Sequence, residues 1–301
     1  MQEHGFSMEN LKISELIKLN KPQVLVLLGP TAVGKTKSAI RLAKEVDGEI
    51  VSCDSRMVYI GMDIGTSKPT LDEREGVTHH LIDVVSPNMK YTVADFKREA
   101  DLKISDILKR KKMPILVGGT MLYIDAVTKN YNFADQESDY SKSSEYKDTT
   151  TEELYEELLE KDPDSAKRIP KQNRRYVIRA LDVISKKNEK FSLLKKNSEY
   201  PYKVLKIGLT MDKEDLYKRI NQRVLDQIDT GLIQETEKLA KKYDYSLPSM
   251  TGLGYKQIGA YLRGEISLKE AIVLLATDTR HFAKRQYTWW RRDGEIHWMD
   301  V

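Results

Sequence analysis

Residues 29–36 read Gly-Pro-Thr-Ala-Val-Gly-Lys-Thr, a complete G-x-x-x-x-G-K-[ST] phosphate loop directly after the apolar run Val24-Leu25-Val26-Leu27-Leu28. A buried strand, a glycine-containing loop and a helix starting near Lys35 would aim backbone N–H groups and a helix N-terminus at one spot, where a di- or triphosphate binds. Gly29, Pro30, Thr31, Ala32, Val33, Gly34, Lys35 and Thr36 are therefore the expected diphosphate or nucleotide site. Lys35 adds a point charge, and the Thr36 hydroxyl is the expected protein ligand of Mg²⁺. A second chemical group is Asp54, which closes the strand-like stretch Glu49-Ile50-Val51-Ser52-Cys53. A carboxylate there can serve as a general base or reach a metal through water, and it can equally cap a turn. The third is Gly118-Gly119-Thr120, which follows Ile115-Leu116-Val117.

An acidic residue that would hold Mg²⁺ for phosphoryl transfer normally ends one of the apolar runs. Ile115-Leu116-Val117 ends instead in Gly-Gly-Thr, and Asp83, after Leu81-Ile82, is followed by further apolar residues. A diphosphate held by this loop can therefore be a leaving group rather than a phosphoryl donor.

Basic and aromatic residues alternate from Thr279 to Arg292, where Arg280, Lys284, Arg285, Arg291 and Arg292 are interleaved with Phe282, Tyr287, Trp289 and Trp290. Cations for phosphates and flat rings for bases suit an RNA-facing helix. A terminal helix with solvated charges and inward rings has the same pattern. A smaller basic cluster, Asn173-Arg174-Arg175-Tyr176 with Arg179, lies earlier in the chain, near the start of the second helix expected within 151–187.

The elements that must position these groups follow βαβ grammar, which predicts a parallel, doubly wound sheet. After the first strand come a helix over about 35–46, a strand over 49–53, a strand over 80–85, a helix over about 93–111, a strand over 115–117 with another helix behind it, and a late strand over 202–210. Ligands bind at the carboxyl ends of such strands, so the three polar strand ends should converge. Between Asn130 and Pro201 the grammar changes. A polar entry over 134–151 leads into helices with Leu154, Leu158 and Leu159 on one stripe and Val177, Ile178, Leu181 and Ile184 on another. The expected fold is α/β: a P-loop NTPase-like parallel-sheet core (1–130 and 201–301) with a mainly helical inserted domain (131–200) and a helical C-terminal segment.

The composition agrees with a globular chain. Of 301 residues, 40% are hydrophobic and 32% charged, and the net charge of +4 is too small to prove a polyanionic partner by itself. No apolar stretch approaches the roughly 20 residues that span a bilayer, and residues 1–20 lack a signal-peptide core. The one cysteine, Cys53, allows no internal disulfide and fits a core position in a cytoplasmic protein.

Six segments in this order resemble bacterial tRNA dimethylallyltransferases: the phosphate loop, Asp54-Ser-Arg-Met-Val-Tyr-Ile-Gly-Met-Asp-Ile-Gly-Thr-Ser-Lys-Pro69, His80-Leu-Ile-Asp83, Val117-Gly-Gly-Thr-Met-Leu-Tyr123, Arg179-Ala-Leu-Asp182 and Ala283-Lys-Arg-Gln-Tyr-Thr-Trp289. The resemblance spans nearly the whole chain, and the stretch 54–69 is its most specific part. It implies transfer of a dimethylallyl group from its diphosphate to the exocyclic amine of the adenosine 3′ of the anticodon, in tRNAs reading codons that begin with U. By that similarity Lys35, Thr36 and the loop amides hold the diphosphate with Mg²⁺, Asp54 accepts the amine proton, Thr120 sits beside the reacting centre and Arg223 contacts the departing diphosphate. Arg219 lies four residues earlier on the same helical face. Expected tRNA contacts are Asp54, Ser55, Arg56, Met57 and Thr120, the cluster Arg175 to Arg179, Thr251, Gly254, Tyr255 and Lys256, and Arg280, Lys284 and Arg285. No membrane or obligate protein partner is expected, and a monomer is.

The chain departs from the family pattern at Asn130-Tyr-Asn-Phe-Ala-Asp135, where members carry a Pro-rich turn and an Arg, and at Ser55-Arg56-Met57, where some carry Ser-Xaa-Gln. The His79-His80 pair lacks a third ligand of the kind zinc needs. Three other readings stay open on the residues alone: a P-loop kinase of a small molecule or nucleotide, an isopentenyltransferase acting on free adenine nucleotides, and a non-catalytic RNA-binding protein.

Overall fold

The structure, a computed structural model, describes residues 8–133, 145–193 and 199–301. It divides into two compact units, Met1–Thr128 with Tyr200–Val301, and Lys129–Glu199.

In the first unit α1 (Met8–Asn20) leads into β1 (Val24–Leu28), α2 (Lys35–Glu45), β2 (Gly48–Ser52), β3 (His79–His80), α3 (Val93–Lys109), β4 (Met113–Gly118) and α4 (Met121–Thr128). The strands form one parallel sheet, completed by β5 (Val204–Thr210) and β6 (Ile296–Asp300), in the order β3-β2-β4-β1-β5-β6. β1 is central, and its five residues are all buried because both sheet faces are covered. Leu25 and Leu27 meet Ala39, Ile40, Leu42 and Ala43 of α2 on one face. Val24, Val26 and Leu28 meet Phe96, Ala100, Ile104 and Ile107 of α3 on the other. The parallel register brings the carboxyl ends of β1, β4 and β2 to one edge, with Leu28 opposite Gly118 and Ser52 opposite Val117.

Two expectations about strands need correction. The strand expected over 80–85 stops at His80, because Leu81 and Asp83 adopt left-handed backbone conformations (φ 60° and 55°). Beyond it, the N–H groups of Asp83 and Val84 donate to the carbonyls of Met57 and Val58 at 3.0 and 2.7 Å, tying this stretch to the loop after β2. The C-terminal segment, expected to be helical throughout, ends in the strand β6.

Of the remaining helices, α5 (Thr151–Lys161), α6 (Pro163–Arg168) and α7 (Arg174–Lys187) belong to the second unit, and α8 (Lys213–Asp229), α9 (Leu232–Ala240), α10 (Tyr255–Leu262) and α11 (Leu268–Trp290) to the first. α8 to α11 share a core of their own with the loop after β2, built from Val58, Met62, Val224, Leu232, Tyr255, Ile258 and Leu275.

The second unit is closed by Leu154, Leu158, Ala166, Ile169, Val177, Ala180 and Leu181. Leu159, expected on the buried stripe, is 46% exposed. Asp162 is fully buried at the junction of α5 and α6, and its carboxylate accepts from the Ser165 N–H and hydroxyl and from the Ser192 N–H at 3.2, 2.6 and 2.7 Å. Of the polar entry expected over 134–151, residues 134–144 lie outside the described residues. Among the described residues no helix is long and apolar enough to cross a membrane.

Candidate active site

The phosphate loop closes the carboxyl end of β1, and its glycines are required by geometry. Gly29 has φ +146°, and a Cβ there would stand 2.6 Å from the Leu209 carbonyl oxygen of β5. Gly34, φ +106°, precedes the first turn of α2. Lys35 folds back and donates to the carbonyls of Gly29 and Pro30 at 2.9 and 2.7 Å. Its pKa is pulled down to about 7, by burial first and by the neighbouring Arg223 second, against the opposing effect of Asp54.

α8 supplies the cations around the loop. The Arg223 guanidinium donates to the Thr31 hydroxyl at 3.2 Å, and burial lowers its pKa from the usual arginine value. One turn earlier Arg219 stands by Gly34, with its Nη1 3.9 Å from where a Cβ on Gly34 would lie. The i, i+4 spacing thus places both guanidinium groups at the loop.

The ends of β2 and β4 meet beside it. A Cβ on Gly118 would stand 2.2 Å from the Cys53 carbonyl oxygen, so only glycine permits this approach. Thr120 links the two turns: its N–H donates to the Cys53 carbonyl at 3.2 Å, and its hydroxyl accepts from the Ser55 N–H at 3.0 Å and donates to the Ser55 hydroxyl at 3.2 Å. Asp54 uses Oδ1 to accept from the Arg56 N–H at 2.8 Å and the Met57 N–H at 3.4 Å. It caps its own turn and lines the site as well. Cys53 is fully buried, which pushes its thiol pKa up and leaves it inert.

Two cavities open here. One, of about 330 Å³, is floored by Thr31, Gly34, Lys35 and Thr36. The other, of about 560 Å³, is lined by Ser55, Arg56, Thr120, Thr251, Lys256 and Arg285. They share Thr31, Asp54, Thr66, Arg223 and Phe282. The phosphate-loop cavity and the polar, basic cavity therefore meet at a carboxylate and a guanidinium.

The residues expected at tRNA separate into groups. Ser55, Arg56, Thr120, Thr251, Lys256 and Arg285 border the larger cavity, and Met57 borders the smaller. Arg56 reaches across to the Pro248 carbonyl. Lys284 is exposed. Gly254 is buried, and Tyr255 is a core residue, 1% exposed, donating to Glu235 at 2.6 Å. Neither is presented to a ligand. The aromatic body of Tyr255 serves packing among α8 to α11. Arg280 is turned onto α8, donating to Asn221 Oδ1 at 2.6 Å. In the basic-aromatic segment, Trp290 is buried and the Tyr287 hydroxyl lies 2.9 Å from the Thr210 hydroxyl, so these rings face the core while Lys284 and Arg285 face solvent. Arg175 is exposed and Arg179 partly buried on α7 of the second unit. Asp83 pairs with Lys68. His79 and His80 bond Val77 and Glu49.

Sequence reading did not single out Gln286. It is fully buried on α11, where its Oε1 accepts from the Thr31 N–H and its Nε2 donates to the Gly119 carbonyl, each at 2.8 Å. The available signal was a polar residue on the helix's buried stripe of Thr279, Ala283 and Trp290. The loop after β2 is likewise held from afar. Glu235 accepts from the N–H groups of Asp63, Ile64 and Gly65, and Gln227 donates to the carbonyls of Ile64 and Gly65.

The IPP transferase family matches residues 57–293. The chain belongs to the IPP transferase family. The tRNA dimethylallyltransferase of Acetivibrio thermocellus is 45% identical over 285 residues, covering 92% of this chain and 91% of that one. The enzyme of the same name from Anoxybacillus flavithermus is 44% identical over 281 residues, covering 93% and 90%. Among solved structures, the full-length tRNA isopentenylpyrophosphate transferase of Bacillus halodurans matches with a TM-score of 0.71 at 41% identity, covering 92% of this chain and 89% of that one. A eukaryotic dimethylallyltransferase acting on tRNA matches with a TM-score of 0.81 at 29% identity, covering 92% and 73%. For this IPP transferase family member, the α/β architecture with a P-loop-like parallel sheet is thus shared with solved relatives.

Proposed function

We propose that this chain transfers a dimethylallyl group from dimethylallyl diphosphate to the N6 amine of the adenosine 3′ of the anticodon, in tRNAs that read codons beginning with U. The observation that carries this reading is the meeting of the two cavities at Asp54 and Arg223. The smaller cavity takes the diphosphate, and the larger takes an adenine drawn out of its stack.

In the reaction the bond between the allylic carbon and the diphosphate oxygen breaks, the bond from that carbon to N6 forms, and the amine proton leaves. The loop amides and Lys35 hold the departing diphosphate, with Arg223 and Arg219 neutralising charge as it develops. Asp54 takes the proton, which for a positioned base contributes a factor of about 10²–10⁴. Thr120 orients the Asp54–Ser55 turn beside the amine. The exposed Thr36, in the smaller cavity, fits a Mg²⁺ whose other ligands are water and substrate oxygens, since this ion usually binds that way. When bound, the ion adds to the charge neutralisation of the diphosphate.

Lys256, Lys284 and Arg285 grip the anticodon arm, with Arg175 and Arg179 as further contacts. The similarity to enzymes named for tRNA supports an RNA acceptor over a free nucleotide. A cytoplasmic monomer completes the reading, in keeping with the single buried Cys53, which suits a reducing compartment.

The test offers radiolabelled dimethylallyl diphosphate to unmodified tRNA, with AMP and ATP as parallel acceptors. Label in tRNA alone is the expected result. Label in a nucleotide would move the chain to the nucleotide-prenylating branch, and ATP consumption without transfer would make it a kinase.

A further inference from the structure

α11 touches both halves of the site. Leu275, Asp278, Thr279 and Arg285 border the larger cavity, Phe282 borders both, and Gln286 borders the smaller. Gln286 is nevertheless fully buried, and its amide spends one acceptor on the Thr31 N–H of the phosphate loop and one donor on the Gly119 carbonyl. A Cβ on Gly119 would stand 2.4 Å from Nε2, so the turn leaves room for this amide and no more. The next residue, Thr120, holds Ser55, whose neighbour is Asp54. A chain of hydrogen bonds therefore runs from the donor's loop through Gln286 to the turn that carries the base.

We infer that Gln286 is the positioning residue that sets the register between the diphosphate loop and the Gly119–Thr120 turn, so that the allylic carbon and the acceptor amine meet in line. This rests on the transferase reading above. A neutral primary amide suits the task because it offers an acceptor and a donor side by side. A carboxylate would present two acceptors, one of them against the Gly119 carbonyl. Misplacement of reacting groups by about 1 Å costs on the order of a hundredfold in rate, whereas the affinity of each ligand for its own half-site rests mainly on the other groups that line it.

The experiment uses the full chain as wild type, Gln286→Met, which keeps length and loses both bonds, and Gln286→Asn, which keeps the amide but is one methylene too short to span both partners. Single-turnover transfer to an anticodon stem-loop RNA is measured beside the Kd of inorganic diphosphate, the Kd of the RNA and the melting temperature. Both variants should lose about a hundredfold in the transfer rate, with both Kd values within about threefold of wild type. A purely structural role would lower the melting temperature without this split. Transfer within about threefold of wild type in a folded variant overturns the inference, as does a rate loss matched by an equal loss of diphosphate affinity. If Gln286→Met does not fold, Gln286→Asn decides alone. A wild type inactive on RNA overturns the transferase reading and this inference with it, while an active wild type with unimpaired variants overturns this inference only.

Discussion

The two cavities are built in opposite ways. The phosphate-loop cavity has for its floor Thr31, Ala32, Gly34, Lys35 and Thr36, all from one short loop whose backbone path follows from two left-handed glycines, Gly29 and Gly34, and the end of β1. The larger cavity gathers side chains from separate places: the Ser55–Arg56 turn, the start of α4, α8, the Thr251–Leu253 loop with Lys256 and Gln257 of α10, and three turns of α11. A backbone-built site tolerates many side chains and fails when its geometry fails. A side-chain-built site is assembled by the tertiary structure and can be weakened one side chain at a time.

That contrast predicts where single substitutions act steeply. Asp54, on the seam, caps the turn at Arg56 and Met57, and in the proposed reaction it also accepts the amine proton. Asp54→Asn keeps the capping oxygen and removes the base. Its transfer rate should fall at least about a hundredfold, with RNA binding and melting temperature close to wild type. A loss of only about twofold would leave Asp54 as a cap. Arg223→Ala comes next, because removing one preorganised donor to developing charge costs about 10²–10³ in rate. The measurement is single-turnover transfer at saturating donor, and an effect confined to KM would make Arg223 a ground-state contact.

In the larger cavity the effects should be shallower and graded. Lys284 and Arg285 are exposed on α11, so changing both to Ala should weaken tRNA affinity about tenfold and flatten its salt dependence by up to ~2 in log-log slope, one for each phosphate that is no longer neutralised. Arg280 is held by Asn221, and Arg280→Ala should change affinity far less. Filter binding over a salt series separates the two. Equal effects would mean that the surface is gripped without regard to which arginine is already engaged.

The same contrast explains what could be read from the sequence. The phosphate loop, the Asp54 turn and the Gly118-Gly119-Thr120 turn are contiguous strings at strand ends, and strand periodicity placed them together. β3 is shorter than its mostly apolar stretch 80–85 suggests, because that stretch contains two left-handed residues, Leu81 and Asp83. β6 escaped because its burial is intermittent on a sheet edge, with Ile296 and Met299 buried and His297 and Trp298 not. Tyr255 and Arg280 show a different limit. Their types suit RNA, and only the packing of α8 to α11 fixes that one faces Glu235 and the other Asn221. Gln286 could not be weighted from sequence, since its partners lie 255 and 167 residues away.

The smallest expected effect tests the backbone-built cavity by pH. Lys35 has a pKa of about 7, lowered by burial first and by Arg223 second, and its ammonium donates to the loop's own carbonyls. An unfolded lysine keeps its proton to about 10.4. Between these values the unfolded chain binds more protons than the native one, so Lys35 costs stability below pH 7 and the cost is relieved as pH rises. A bound diphosphate reverses this balance by favouring the ammonium. The Lys35 contribution to diphosphate affinity should therefore level off below pH 7 and fall about fivefold between pH 7 and pH 8, with proton uptake on binding. Calorimetry in buffers of different ionisation enthalpy measures that uptake. Lys35→Arg supplies the control, because a guanidinium does not titrate in this range and its profile reports only the ligand's own protons. Coincident profiles for the two proteins would mean that Lys35 stays charged before diphosphate binds, held by Asp54 and the two carbonyls against burial.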